Sequence, residues 1–545
     1  MRFRPLPILF AAILFAAALA GMAVACLVAA DSLALSPDSV IREALCRRLI
    51  QGATDGRQGL VSSIWFAPLP TLARLPLVCL LPDSLPGLPS RLVSLLFGLA
   101  ALAVLARTAF RWAGALPAAL VVLGLALHPA FITASLDGGD ATAVACFTLL
   151  YASSWCRWVL EDRLTHLSAM SLSAALLCLT RFEMLGWTAA GALFICVHEA
   201  TAPRLPGQRQ AIVILGLLPW AYGIGLWVLG NWLIMGDAFY FLRGLGQLNA
   251  LPAHPFPSPA LPAADPAWLL PLLFPALLLA AAVVKRDGAG LSLALLAFAA
   301  AGVAAGLDAL GCLWDAPVIL LPLTVLCLAA PARLVYLISA QRPALRACLA
   351  AGGIAIPLLL LILQPPGWTP AQSPGPAPLQ EENRQMLAEI RDTVDAQTPF
   401  PTVYICGYES FPILDGNDDP VFIRELDFDF AQAAKEYAGR SLYLLVPRPV
   451  GRVATESIHR KFRDIYAAGF ANTLHTADFG RWRLFKLVER ISPRTAWTPC
   501  SCRTCRGGRN IWPARGGPPR RPGPWRSRSG EFPTRPFCTC ACGSC

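Results

Sequence analysis

What most restricts this chain is a repetition: apolar stretches long enough to cross a bilayer, each closed by charged residues and followed by another. The first, Leu6–Ala30, is unbroken. At 1.5 Å per residue it is long enough for a hydrocarbon core of about 30 Å. Backbone amides inside lipid must be satisfied within the segment, so such stretches are helices. The composition agrees, because only 14% of residues are charged and 56% are hydrophobic, far from the soluble average of about 25% charged. The pattern predicts an α-helical polytopic membrane protein.

Ten further spans follow, at Leu92–Ala106, Leu116–Ser135, Ala141–Val159, Leu167–Thr180, Met184–Val197, Ala211–Met235, Trp268–Val284, Leu291–Leu307, Val318–Ala330 and Ala347–Leu363. Leu60–Leu81 is apolar too, but its prolines and Arg74 suit re-entrant or interfacial helices better than a crossing. Arg2 and Arg4 ahead of the first span place the N-terminus in the cytoplasm. With eleven spans, each inner loop then holds at least two Lys or Arg. The acids Asp31, Asp38, Asp137, Asp140, Glu183, Asp237, Asp308 and Asp315 all fall outside. A register off by one span would break both patterns.

The net charge of +11 suggests a nucleic-acid partner until it is located. Nine of those charges lie in residues 491–545, an Arg-, Pro- and Cys-rich tail that lacks the apolar residues for a core and is expected to be disordered. No nucleic-acid role follows. The tail holds seven of the 18 cysteines; most of the others stand singly in apolar spans, as small hydrophobes. The expected organisation is a membrane domain over 1–364 with its first external loop at 31–91, a Pro-rich linker over 365–379, and a soluble α/β domain over 380–490. In that domain helices are expected at Gln380–Ala396, Val421–Ala438 and Thr455–Ala467, and strands at Thr402–Cys406, Ser441–Val446 and Arg483–Val488. It carries no phosphate-cradling glycine motif.

Chemistry is expected where polar chain meets the outer ends of spans. Asp38 opens an amphipathic run, PDSVIREALCRRLIQG, which reads as a short helix at the interface. As a lone residue it equally suits a helix N-cap. Asp137 and Asp140 sit in LDGGD, where turn formation is the simple alternative. Arg181 and Glu183 lie at a span end and could neutralise one another. A transporter would place its ionisable groups near the bilayer midplane, whereas these span interiors are nearly free of charge. Carboxylates at the outer rim suit transfer from a membrane-embedded donor to an acceptor arriving from outside. Glycosyl transfer needs a carboxylate to take the acceptor proton and a cation to stabilise the leaving phosphate.

The order of weak motifs resembles the GT-C class of polyprenyl-phosphate-sugar-dependent glycosyltransferases, in the branch of protein O-mannosyltransferases and lipid A aminoarabinose transferase. It runs PDSVIREALCRRLIQG, IWFAPLPTLARLP, SRLVSLLFGLAAL, HPAFITASLDGGDATAVACFTLL, LTRFE and NWLIMGDAFYF, then a soluble outer domain, across roughly residues 1–490. The resemblance implies Asp38 as catalytic acid, with Asp31 second. Asp137 and Asp140 match a position where some members bind a divalent cation (Mg or Mn) and others orient substrate. Arg181 and Glu183 match an RxE at a span end, and Arg181 and Arg243 would suit a phosphate. It also implies a polyprenyl-phosphate-linked sugar as donor, membrane lipid around it, and a lipid, glycan or protein acceptor on the outer side of a bacterial inner membrane. The sequence departs from the class at Asp38-Ser39, where many members have two adjacent acids, and at WDAPVILLPL, which lacks an Arg-Tyr pair. The competing reading is a translocase of lipid-linked sugar or a membrane scaffold.

Overall fold

The computed structural model describes residues 35–82, 84–243, 272–309, 316–339, 376–398, 400–427, 433, 440–462, 464–469 and 473–487. All of these residues belong to one compact unit, Met1–Ile491. Three of the expectations, the spans Leu6–Ala30 and Ala347–Leu363 and the disordered tail, lie outside the described residues, as does Asp31.

Helix α1, Pro37–Ile50, starts the described chain. Proline in its first turn sets φ without costing a hydrogen bond, Asp38 faces the helix's positive end, and Arg47 and Arg48 its negative end. It stops at Gln51 and Gly52, where φ is +71°, a value glycine adopts without strain. It is not the surface helix the sequence suggests, because Asp38, Ser39, Arg42, Glu43 and Cys46 are all buried. The spacing of Asp38, Arg42 and Cys46 is four residues, so they form one inward-facing polar stripe.

Two short helices follow, α2 at Thr54–Val61 and α3 at Pro68–Leu80, in place of a crossing, as the prolines suggest. Helix α4 at Leu88–Ala113 leads to α5 at Ala115–Leu127 and α6 at Pro129–Leu136. The sequence reads these last two as one span; Pro129 lacks the amide that would continue the ladder, and the chain breaks there. Then come α7 at Ala141–Glu161, α8 at Leu164–Thr180, α9 at Met184–Thr201, α10 at Pro206–Met235, α11 at Leu273–Lys285, α12 at Gly288–Ala309 and α13 at Ala316–Ser339.

Among the described residues, five helices are long and apolar enough to cross a membrane, at Leu88–Ala113, Ala141–Glu161, Pro206–Met235, Gly288–Leu307 and Leu321–Ile338. Shorter apolar helices stand at Pro68–Leu80, Leu164–Thr180 and Leu273–Lys285. The protein is a multi-pass membrane protein. Its helices share one apolar core that includes Leu102, Val121, Phe131, Val144, Trp155 and Leu326.

The C-terminal part is a five-stranded sheet with helices. After α14, Pro376–Asp395, come β1 at Pro401–Cys406, α15 at Ser410–Ile413, β2 at Phe422–Glu425, β3 at Ser441–Pro447, α16 at Ser457–Lys461, α17 at Ile465–Ala468, β4 at Thr473–Phe479 and β5 at Trp482–Leu487. The strand order is β2-β1-β3-β5-β4; β1 runs parallel to β2 and β3, and β5 antiparallel to β3 and β4. Expected helix Val421–Ala438 is corrected over its first residues, since Phe422–Glu425 pair with Val403–Cys406 as a strand. Four alternating residues, FIRE, are too short a run to separate the two periods. Expected helix Thr455–Ala467 is likewise two short helices, and β4 escapes the sequence because its exposed faces carry little apolar pattern.

This domain is packed onto the membrane part by a cluster that includes Ile41, Leu45, Trp65, Phe66, Trp227, Phe241, Tyr408, Phe411 and Leu426. Phe66 stacks on Tyr408 at 4.5 Å between ring centres. The Tyr408 hydroxyl donates to the Gly59 carbonyl at 2.8 Å and lies 2.8 Å from the Ser62 hydroxyl. Trp65 Nε1 donates to Thr455 Oγ1 at 2.9 Å.

Candidate functional site

Four separated segments converge on α1. The Ser36 amide donates to the Asp137 carbonyl at 2.8 Å, which fixes the start of α1 against the LDGGD turn. The end of α8 brings Arg181, the LDGGD turn brings Asp140, α3 brings Arg74, and the C-terminal domain brings Arg452. All four side chains are buried.

Asp38 stands at the centre. The N-cap of α1 is Ser36, so the capping role is not the one Asp38 takes. Its Oδ2 accepts from Arg181 Nη1 at 2.9 Å, and its Oδ1 accepts from Arg452 Nη1. Burial by itself would raise the Asp38 pKa, but the guanidiniums of Arg452, Arg181 and Arg42 outweigh it and bring it down to about 2. Opposite charges at contact distance favour the ionised form in this way. Arg181 also donates to Glu183 Oε1 at 3.1 Å, so the neutralising pair expected at the span end exists. It shares its guanidinium with Asp38.

Asp140 is the second anionic centre. Its carboxylate lies 2.9 Å from Arg42 Nη2, accepts from Arg74 Nη2 at 2.9 Å, and is 3.9 Å from Arg181 Nη1. Burial opposes its ionisation, and the attraction of Arg42, Arg74 and Arg181 overcomes it, holding the Asp140 pKa below the ordinary carboxylate value. Arg181 therefore bridges the two acids. Asp137 acts in the turn, where its Oδ1 accepts from the Gly139 amide at 2.7 Å. Gly138, at φ +72°, has room for no side chain, because a Cβ there would lie 2.9 Å from that of Ser90 and 3.1 Å from that of Ser39.

Two further expectations concern Arg243 and a metal at the LDGGD turn. Arg243 is outside the cluster: more than half exposed, it pairs with Asp237 at 2.6 Å and lies over the Tyr240 ring. It stands at a helix-end turn on the surface. The residues at Asp137 and Asp140 also do not suit a divalent cation. Asp140 already faces Arg42 and Arg74, Asp137 spends an oxygen on its own turn, and no group of three His, Cys, Asp or Glu among the described residues could hold a metal. A cation placed there would meet guanidiniums.

Sequence reasoning missed Arg42, Arg74 and Arg452. Arg42 follows Asp38 by one helical turn, a spacing that marks one face, and Arg74 is a lone charge in an apolar, proline-rich run. Either could have been found. Arg452 lies 414 positions from Asp38 in sequence and no local pattern announces it. Buried Nε groups of Arg42 and Arg74 have no hydrogen-bond partner among the described residues. The cluster thus holds cationic donor capacity beyond what its acids use.

No protein-family profile matches the chain, and no curated protein matches it. Solved structures similar to it include ArnT from Cupriavidus metallidurans in the apo state, with a TM-score of 0.47, 14% identity, and coverage of 88% of this chain and 98% of that one. The same protein bound to undecaprenyl phosphate gives a TM-score of 0.45, with 14% identity and the same coverage. Likeness of this degree assigns no activity.

Proposed function

We propose that the protein is an integral-membrane glycosyltransferase that moves a sugar from a polyprenyl-phosphate carrier to a hydroxyl acceptor on the outer side of a bacterial inner membrane. The observation that carries this reading is the sharing of Arg181 between Asp38 and Asp140, at 2.9 and 3.9 Å. It joins the first external loop to the LDGGD turn in one buried, charged centre at the ends of the membrane helices.

Burying four guanidiniums is costly unless anions meet them. In this site the acids do so in part, and the unpartnered Nε donors suit a further anion such as a phosphate. In the reaction, the acceptor oxygen bonds to the sugar's anomeric carbon as the bond to the phosphate oxygen breaks. Its electron pair leaves with the carrier phosphate, towards the Arg181 guanidinium. Asp38 receives the acceptor proton. Positioned proton transfer of this kind contributes roughly 10²–10⁴-fold, and cationic stabilisation of the leaving phosphate adds to it. No step is routed through a metal.

The test is reconstitution. The purified full chain is incubated with polyprenyl-phosphate-linked sugars extracted from envelopes and with an envelope acceptor fraction, and products are identified by mass spectrometry. New glycosylated acceptor together with freed polyprenyl phosphate supports the assignment. Donor that crosses a vesicle membrane unchanged would favour a translocase.

A further inference from the structure

In the structure as it stands, Asp38 is poorly placed to take a proton. Both of its oxygens already accept from arginines, one from Arg181 at 2.9 Å and the other from Arg452. If Asp38 is the base, something must release it.

The two arginines are held differently. Arg181 is anchored beside its own acid, Glu183, at 3.1 Å, two residues away on the same span end. Arg452 comes from the turn of 3-10 helix at Gly451–Thr455 in the C-terminal domain. Its guanidinium lies over the Phe66 ring at 4.5 Å and 3.8 Å from Glu409. It also lines a pocket with Trp65, Tyr240, Glu456 and Arg460 at the seam between the domain and the membrane part. One side of Arg452 therefore touches Asp38 and the other borders a cavity with a second arginine on its wall.

We propose that Arg452 is a phosphate-binding residue that exchanges Asp38 for the donor's phosphate, so that the group restraining the base becomes the group holding the leaving group. This rests on the transferase reading. The charge balance gives the exchange its direction. In the donor the phosphate is a diester with one negative charge; as the bond to the anomeric carbon breaks it gains the bonding electron pair and moves towards two. Attraction to Arg452 grows along that path, while Asp38 loses its charge by accepting the acceptor proton. The guanidinium's two possible partners change in opposite senses in the same step. Without donor, Asp38 stays clamped, which keeps the site from activating water.

Binding of undecaprenyl phosphate to the purified full chain in detergent, measured by native mass spectrometry and by calorimetry, tests the exchange without depending on turnover. Because Asp38 competes for Arg452, Asp38→Asn should bind this phosphate about tenfold more tightly, and Arg452→Gln about tenfold more weakly. Arg452→Lys, which keeps the charge, should recover part of the affinity, and melting curves confirm that each variant is folded. A merely structural link between domains gives the opposite sign for Asp38→Asn, because cutting it loosens the seam. Unchanged or weaker binding in Asp38→Asn, unchanged binding in Arg452→Gln, or no binding by the wild type would overturn the proposal. Failure of the transferase reading shows up separately, as wild-type protein that binds the phosphate but forms no glycosylated product.

Discussion

Arg42 and Asp140 face one another at 2.9 Å with neither side chain reaching solvent, and Arg74 closes on the same carboxylate from the other side. The pair ties α1 to the LDGGD turn, so it sets the distance between Asp38 and the rest of the charged centre. Removing one member of a buried pair strands the other charge, at a cost of about 3–5 kcal/mol. Asp140→Ala should therefore lower the melting temperature of the detergent-solubilised protein markedly. Asp140→Asn, which can still accept hydrogen bonds, should lower it less.

Glu456 supplies a pH dependence. Burial raises its carboxyl from 4.5 up to about 8, and the charge of Glu409 adds to the effect. The native state thus keeps a proton that the unfolded chain loses near 4.5. Stability from this group is complete below pH 4.5 and is lost as pH rises through 8. Glu456→Gln removes the titration, so its melting temperature should fall less than the wild type's between pH 5 and 9. Parallel curves would show that Glu456 is ionised throughout.

The seam between domains depends on Tyr408. Tyr408→Phe keeps the stacking on Phe66 but removes the bonds to Gly59 and Ser62, leaving a buried carbonyl unpaired at about 1–3 kcal/mol. Amide hydrogen exchange over residues 59–66 should quicken, with the sheet itself unaffected.

Arg243→Ala should change little. Its pair with Asp237 is exposed on the arginine side and half-buried on the other, and such surface pairs contribute about 0–1 kcal/mol. Transfer activity within about twofold of wild type is expected, whereas Arg181→Ala should abolish it.

Much of this was legible in the sequence because the membrane restricts the alternatives. Apolar length picked out helices such as Leu88–Ala113, Ala141–Glu161 and Pro206–Met235, which are long enough to cross, and the prolines around Pro68 and Pro76 marked two short helices. Asp38, Arg181 and Asp140 could be singled out because they fall in the motifs PDSVIREALCRRLIQG, LTRFE and LDGGD. The break at His128-Pro129 was visible in the residues, yet the apolar residues on both sides of it read as one span. Strand β2 was not legible, because four residues carry no period and its partner Val403–Cys406 is what makes it a strand. Arg452 was invisible for a deeper reason. Its place is fixed by how the Tyr408 and Trp65 contacts seat a whole domain, and that geometry has no local signature. The pairing of Arg243 with Asp237 was not legible either, because proximity in sequence to a span end says nothing about which way a surface turn faces.

The central claim is that Asp38 takes the acceptor proton, and the most direct measurement is transfer by Asp38→Asn from a radiolabelled polyprenyl-phosphate-linked sugar. The isosteric amide keeps the size of the side chain and removes its basicity. The account predicts a folded protein that still binds the carrier phosphate and transfers at least a hundredfold more slowly, roughly the contribution of a positioned base. Transfer at the wild-type rate in that variant would contradict it.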